Sequence, residues 1–106
     1  MNLSQEQWWE GTQNDTDAVI LDVRTAAEWN DGIIPGAIHI DIYKGQAFID
    51  EIESLDKTKN YYVYCRSGAR SGNACNIMGQ LGFANAYNLS GGIMGWTGPI
   101  VQPAGE

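Results

Sequence analysis

Positive charge, histidine and long apolar runs are all scarce in this chain, and each scarcity removes a class of function. Six Lys and Arg stand against 13 Asp and Glu, a formal net charge of −7. Such a surface repels phosphate backbones and anionic headgroups, so neither nucleic acid nor a membrane is an expected partner. One histidine, His39, and two cysteines, Cys65 and Cys75, without C-x-x-C spacing give no reason to expect a metal or any other cofactor. No apolar run approaches the roughly 18 residues that a bilayer crossing needs. The opening MNLSQEQWWEG has neither the basic segment nor the apolar core of a secretory signal. The expectation is a cytoplasmic chain with both thiols reduced.

What is present is enough for one packed domain. A length of 106 residues, 43% of them hydrophobic, supports a single core spanning 1–106 and argues against disorder. Thirteen glycines point to many tight loops.

Ser4 followed by Gln7 is a capping-box pattern that opens a short helix through Trp8 and Trp9. AVILDV at 18–23 is a nearly continuous apolar run, the mark of a strand buried on both faces. AIHIDI at 37–42, YYVYC at 61–65 and AYNL at 86–89 read as further strands. Phe48, Ile49, Ile52 and Leu55 recur at helical intervals, as do Ala74, Ile77, Met78 and Leu81, which predicts a helix over about 69–81. GGIMGW begins a short final turn, and its Gly91 and Gly92 suit positive φ. Strands alternating with helices predict an α/β fold: a small, mostly parallel sheet flanked by helices on both faces. Trp8, Trp9 and Trp96 read as packing residues.

Ligands of such sheets sit beyond the carboxyl ends of the strands, and that is where Cys65, Asp22 and Arg24 fall. After Cys65 come Arg66, Ser67, Gly68, Ala69 and Arg70 and then a helix. A glycine-containing turn entering a helix presents converging N–H groups and a partial positive charge. Two guanidinium groups add to it. Each effect favours thiolate over thiol, so the Cys65 pKa is expected below the usual ~8.5. His39 reads as structural, and Cys75, about six residues into the helix, as a packing residue too far along it for a disulfide. The spacing from Cys65 to Arg70 is C-x4-R, one residue tighter than the C-x5-R loop of phosphatases and arsenate reductases. A smaller cradle suits one sulfur atom on the cysteine better than a tetrahedral phosphoryl group.

Three blocks, LDVRTAAEWNDGIIPGAIHID, YYVYCRSGARS and GFANAYNLSGGIMGW, resemble in order and spacing the signature blocks of the rhodanese-like single-domain sulfurtransferases. The resemblance covers about residues 15–97. It implies that Cys65 takes the outer sulfur of a small anionic donor such as thiosulfate, holds it as a persulfide and passes it to cyanide, a thiol or a carrier protein. The amides of 66–70 would bind the persulfide, and the Arg66 and Arg70 side chains would orient the donor. Asp22, Arg24, Gly91 and Gly92 take supporting roles in this scheme, with Glu28 beside them. The expected assembly is a monomer or a weak homodimer. Members commonly have Gly-His-Ile-Pro-Gly-Ala where this chain has Ile33 in place of the histidine, so a polar contact is absent there. The rival reading is a binding, regulatory or sulfur-carrier module that keeps the fold without turnover.

Overall fold

A computed structural model describes residues 1–103; the last three positions of the 1–106 domain expectation lie outside the described residues. In chain order the elements are β1 (Asn2–Leu3), α1 (Gln5–Asn14), β2 (Ala18–Asp22), α2 (Ala26–Asn30), β3 (Ile38–His39), α3 (Gln46–Glu53), β4 (Asn60–Tyr64), α4 (Ala69–Gln80) and β5 (Asn85–Leu89). One-turn 3-10 helices follow β3, at Ile42–Lys44, and β5, at Ile93–Gly95. The five strands form one sheet in the order β1-β5-β4-β2-β3, every neighbouring pair parallel. This is the α/β architecture expected from the sequence.

Alternation along the strands divides the core into two layers. Tyr61, Val63 and Cys65 of the β4 segment point with Leu21 and Val23 toward Phe48 and Ile52 of α3 and Ala74 and Met78 of α4. Tyr62 and Tyr64 point the opposite way with Ile20, onto Trp8 of α1. Trp8 meets Tyr62, Tyr64 and Trp96 edge-on at centroid distances of 6.0, 6.0 and 5.8 Å. Leu21, Val63 and Trp8 are fully buried, each aliphatic side chain worth roughly 1.5–3 kcal/mol of burial.

The capping box at Ser4 is present: its hydroxyl accepts from the Gln7 amide at 3.2 Å, and its own amide donates to Gln7 Oε1 at 3.3 Å. The strand expected over 37–42 shrinks to Ile38–His39, because Asp41 turns its carboxylate onto the Tyr43 amide at 2.8 Å and starts a 3-10 turn. Two short elements are additional to those expected from the sequence. Edge strand β1 is too short to show alternation, and α2 is a five-residue helix.

The chain leaves β2 for β3 on one side and returns to β4 on the other. Strand order therefore reverses between β2 and β4, which opens a crevice at their carboxyl ends. Val23 N donates to Tyr64 O at 3.2 Å and ties the two ends together.

Candidate active site

Cys65 follows the last residue of β4 directly, so the sheet fixes its backbone while the next five residues turn into α4. Gly68 is the N-cap of α4 at φ +101°, a left-handed conformation that a side chain disfavours. That turn aims the Gly68 amide at Cys65 Sγ, 3.1 Å away, and the Ser71 hydroxyl lies 3.3 Å from the same sulfur. A second turn clamps the loop from outside. Ile93 N donates to Cys65 O and Met94 N to Arg66 O, both at 2.9 Å. The approach is so close that a Cβ on Gly92 (φ +62°) would overlap Arg66 O. With those carbonyls engaged outward, the loop amides remain for the sulfur.

The thiol is fully buried. Burial alone pushes its pKa up, but the Ser71 hydroxyl and the amides of Ser71, Gly68 and Ser67 outweigh it, and the net displacement is downward. Among the described residues no such donor reaches the Cys75 thiol. Burial pushes it up to about 11, and it is a free thiol like Cys65.

The three arginines do not share one task. Arg24 is 5% exposed and pairs with fully buried Asp22 at 2.8 Å; it also donates to Gly32 O at 2.8 Å and covers the Tyr64 ring. Asp22 and Arg24 thus join the end of β2 to the loop before β3. Arg70, expected from the sequence to orient the donor, makes a two-pronged ion pair with Glu28 at 2.7 and 2.9 Å and lies over Tyr43. The Arg70 hydrogen bonds, helped by Thr25, hold Glu28 at about 2 against the opposing effect of burial. Glu28 also closes a capping box with Thr25 at the start of α2. Arg66 is exposed and in no ion pair among the described residues. It lines a hollow of about 360 Å³ together with Arg24, Glu28, Asp31, Ile93 and Met94.

His39 donates from Nε2 to Arg24 O at 2.7 Å and stacks on Trp29, so it braces the β2 end. Ile33 is buried and pairs its backbone with Val101, a local packing role. Gly91, at φ +83°, and Gly92 form the clamping turn. Sequence reasoning missed Ser71 and Asn88 as site residues. The T-x-x-E pattern of Thr25 and Glu28 was a readable signal for α2; Asn88 offered none.

A family model described as a rhodanese-like domain matches residues 5–99. A sulfurtransferase of Allochromatium vinosum is 39% identical over 92 residues, covering 84% of this chain and 83% of that protein. The thiosulfate sulfurtransferase GlpE of Glaesserella parasuis is 31% identical, covering 89% of this chain and 83% of the relative. Among solved structures, the crystal structure of a rhodanese-like domain protein from Staphylococcus aureus superposes with a TM-score of 0.82 at 25% identity, covering 97% and 98% of the two chains.

Proposed function

The chain belongs to the rhodanese-like domain family, and from that premise we propose that it is a sulfurtransferase that carries sulfane sulfur as a persulfide on Cys65. The observation behind this is the buried Sγ at the carboxyl end of β4, with the Gly68 amide and the Ser71 hydroxyl directed at it. These donors favour a sulfur that bears charge and cannot take up a proton cheaply.

With thiosulfate as donor, the Cys65 thiolate attacks the outer sulfur. A bond forms between the two sulfurs, the bond to the sulfonate sulfur breaks, and sulfite leaves with the electron pair. A nucleophilic acceptor such as cyanide then takes the outer sulfur as thiocyanate and returns the electron pair to Sγ as thiolate. Arg66 is the guanidinium available to meet the anionic donor in the hollow. Arg70 fixes the loop through Glu28 and reaches a donor only by leaving that partner. Loop amides between Ser67 and Ser71 hold the charge of the persulfide.

Incubation with thiosulfate should add one sulfur atom to the intact mass, and cyanide should remove it as thiocyanate. Cys65→Ser should abolish both. Turnover that survives in this variant overturns the assignment.

A further inference from the structure

Ser71, the sixth residue after the nucleophile, is fully buried between two acceptors. Its Oγ lies 3.3 Å from Cys65 Sγ and 2.5 Å from Asn88 Oδ1. A hydroxyl carries one proton, so it can serve only one of them at a time. Asn88 cannot escape by turning its amide over. Its Nδ2 donates to Gly68 O at 3.1 Å and to Asn2 Oδ1 at 2.9 Å, and a carbonyl only accepts. Oδ1 is therefore held toward Ser71.

The sulfur decides which acceptor is served. A neutral thiol or disulfide-type sulfur accepts weakly, and the hydroxyl then rests on the nearer Asn88 oxygen. A thiolate draws a shorter, stronger, charge-assisted hydrogen bond. The hydrogen reaches it by rotation about the Cβ–Oγ bond, with no heavy atom displaced. Building on the sulfur-transfer reading, we infer that Ser71 is a two-position donor and Asn88 the positioning residue that holds its proton whenever Sγ is uncharged.

Each half of the cycle uses the two positions. Ser71 donates to the Sγ thiolate before attack. Once the sulfur–sulfur bond forms, the negative charge sits on the outer sulfur, Sγ is neutral, and the hydroxyl returns to Asn88. When the acceptor takes the outer sulfur, that bond breaks and its electron pair stays on Sγ; the hydroxyl follows the charge and stabilises the leaving thiolate. No proton is transferred in this exchange.

The other charged and titratable groups around the sulfur do not reproduce it. Arg70 of α4 is paired with Glu28 of α2, Asp22 and Arg24 of β2 are paired with each other, and Arg66 is exposed on the loop. Cys75 of α4 is a buried thiol. None of these side chains donates to Sγ among the described residues.

The test is site-resolved alkylation of Cys65 by iodoacetamide across pH, read by peptide mass spectrometry, with the cyanide discharge rate of the loaded protein. Ser71→Ala should raise the apparent pKa by about one to two units and slow discharge about tenfold or more; Ser71→Thr, which keeps the hydroxyl, should restore most of both. Asn88→Ala frees the hydroxyl for the sulfur and should lower the pKa by about half a unit to one unit, and only while Ser71 is present. A purely structural asparagine would raise it, since losing the Gly68 tie loosens the loop. A rise, no change, or a fall that persists in the Ser71→Ala background overturns the inference. If Asn88→Ala does not fold, Asn88→Asp serves: its pKa increase should be larger with Ser71 than without it, and equal increases refute the exchange. Should thiosulfate never load Cys65 while these shifts appear, the functional reading fails and the exchange stands. Should thiosulfate load Cys65 while both alanine variants raise the pKa, the exchange fails and the functional reading stands.

Discussion

Glu28→Gln removes the charge that holds Arg70 while keeping the size of the side chain. Glu28 is held at about 2 from an ordinary 4.5, which unscreened corresponds to about 3 kcal/mol. Its side chain is 26% exposed, so screening and the freedom lost by two flexible chains reduce the net loss on substitution to about 1–2 kcal/mol. The sign follows from the depressed pKa: the contribution is complete above the unfolded value near 4.5 and lost as pH falls toward 2. Urea unfolding at pH 7 and at about pH 3 should show the difference between wild type and variant falling to under half at the lower pH. The released Arg70 also adds a second unpaired guanidinium beside Arg66, so the KM for dianionic thiosulfate should drop several-fold while that for a neutral polysulfane changes little. A stability difference that is the same at both pH values, or a thiosulfate KM that rises, would refute the view that Glu28 masks Arg70.

Gly92→Ala should cost about 2–4 kcal/mol and suppress sulfur loading, because its Cβ would overlap Arg66 O in a left-handed backbone; thermal unfolding and intact mass read the two effects. Asp22→Asn leaves the Arg24 side chain, 6% exposed, without its charge partner and should destabilise by about 3–5 kcal/mol in urea titration. Cys75→Ala should retain full sulfur loading and lose about 1 kcal/mol or less of stability, since this thiol is a small packing group. Loss of loading in this variant would force a reassignment of the second thiol.

The strands and the longer helices were legible because their signals are local. Within β2 and β4 the stretches AVIL and YYVY are continuous runs of aliphatic and aromatic residues, as expected of strands covered on both faces. Ser4 with Gln7 announces α1, and the i, i+3, i+4, i+7 series through Leu81 announces α4. Short elements carry too few residues for a period, so apolar periodicity discloses neither β1 nor α2 and extends β3 across the Asp41 turn. At the site, the position of Cys65, the glycine turn and the tighter loop followed from spacing. The allotment of charge did not. Arg24, Arg66 and Arg70 look alike in the sequence, yet one pairs with Asp22, one with Glu28, and one is left exposed.

By itself, then, the sequence determined the α/β class, the strand-end cysteine and the anion-favouring loop that follows it. These depend on periodicity, glycine geometry and the count of residues between groups, all properties of a contiguous stretch. Only the tertiary structure decided which guanidinium stays unpaired at this end of the sheet and which side chain faces the Ser71 hydroxyl. Glu28 lies 42 positions from Arg70, and Asn88 lies 17 from Ser71. Contacts between groups so far apart arise when the parallel crossovers bring α2, α4 and β5 to the same end of the sheet.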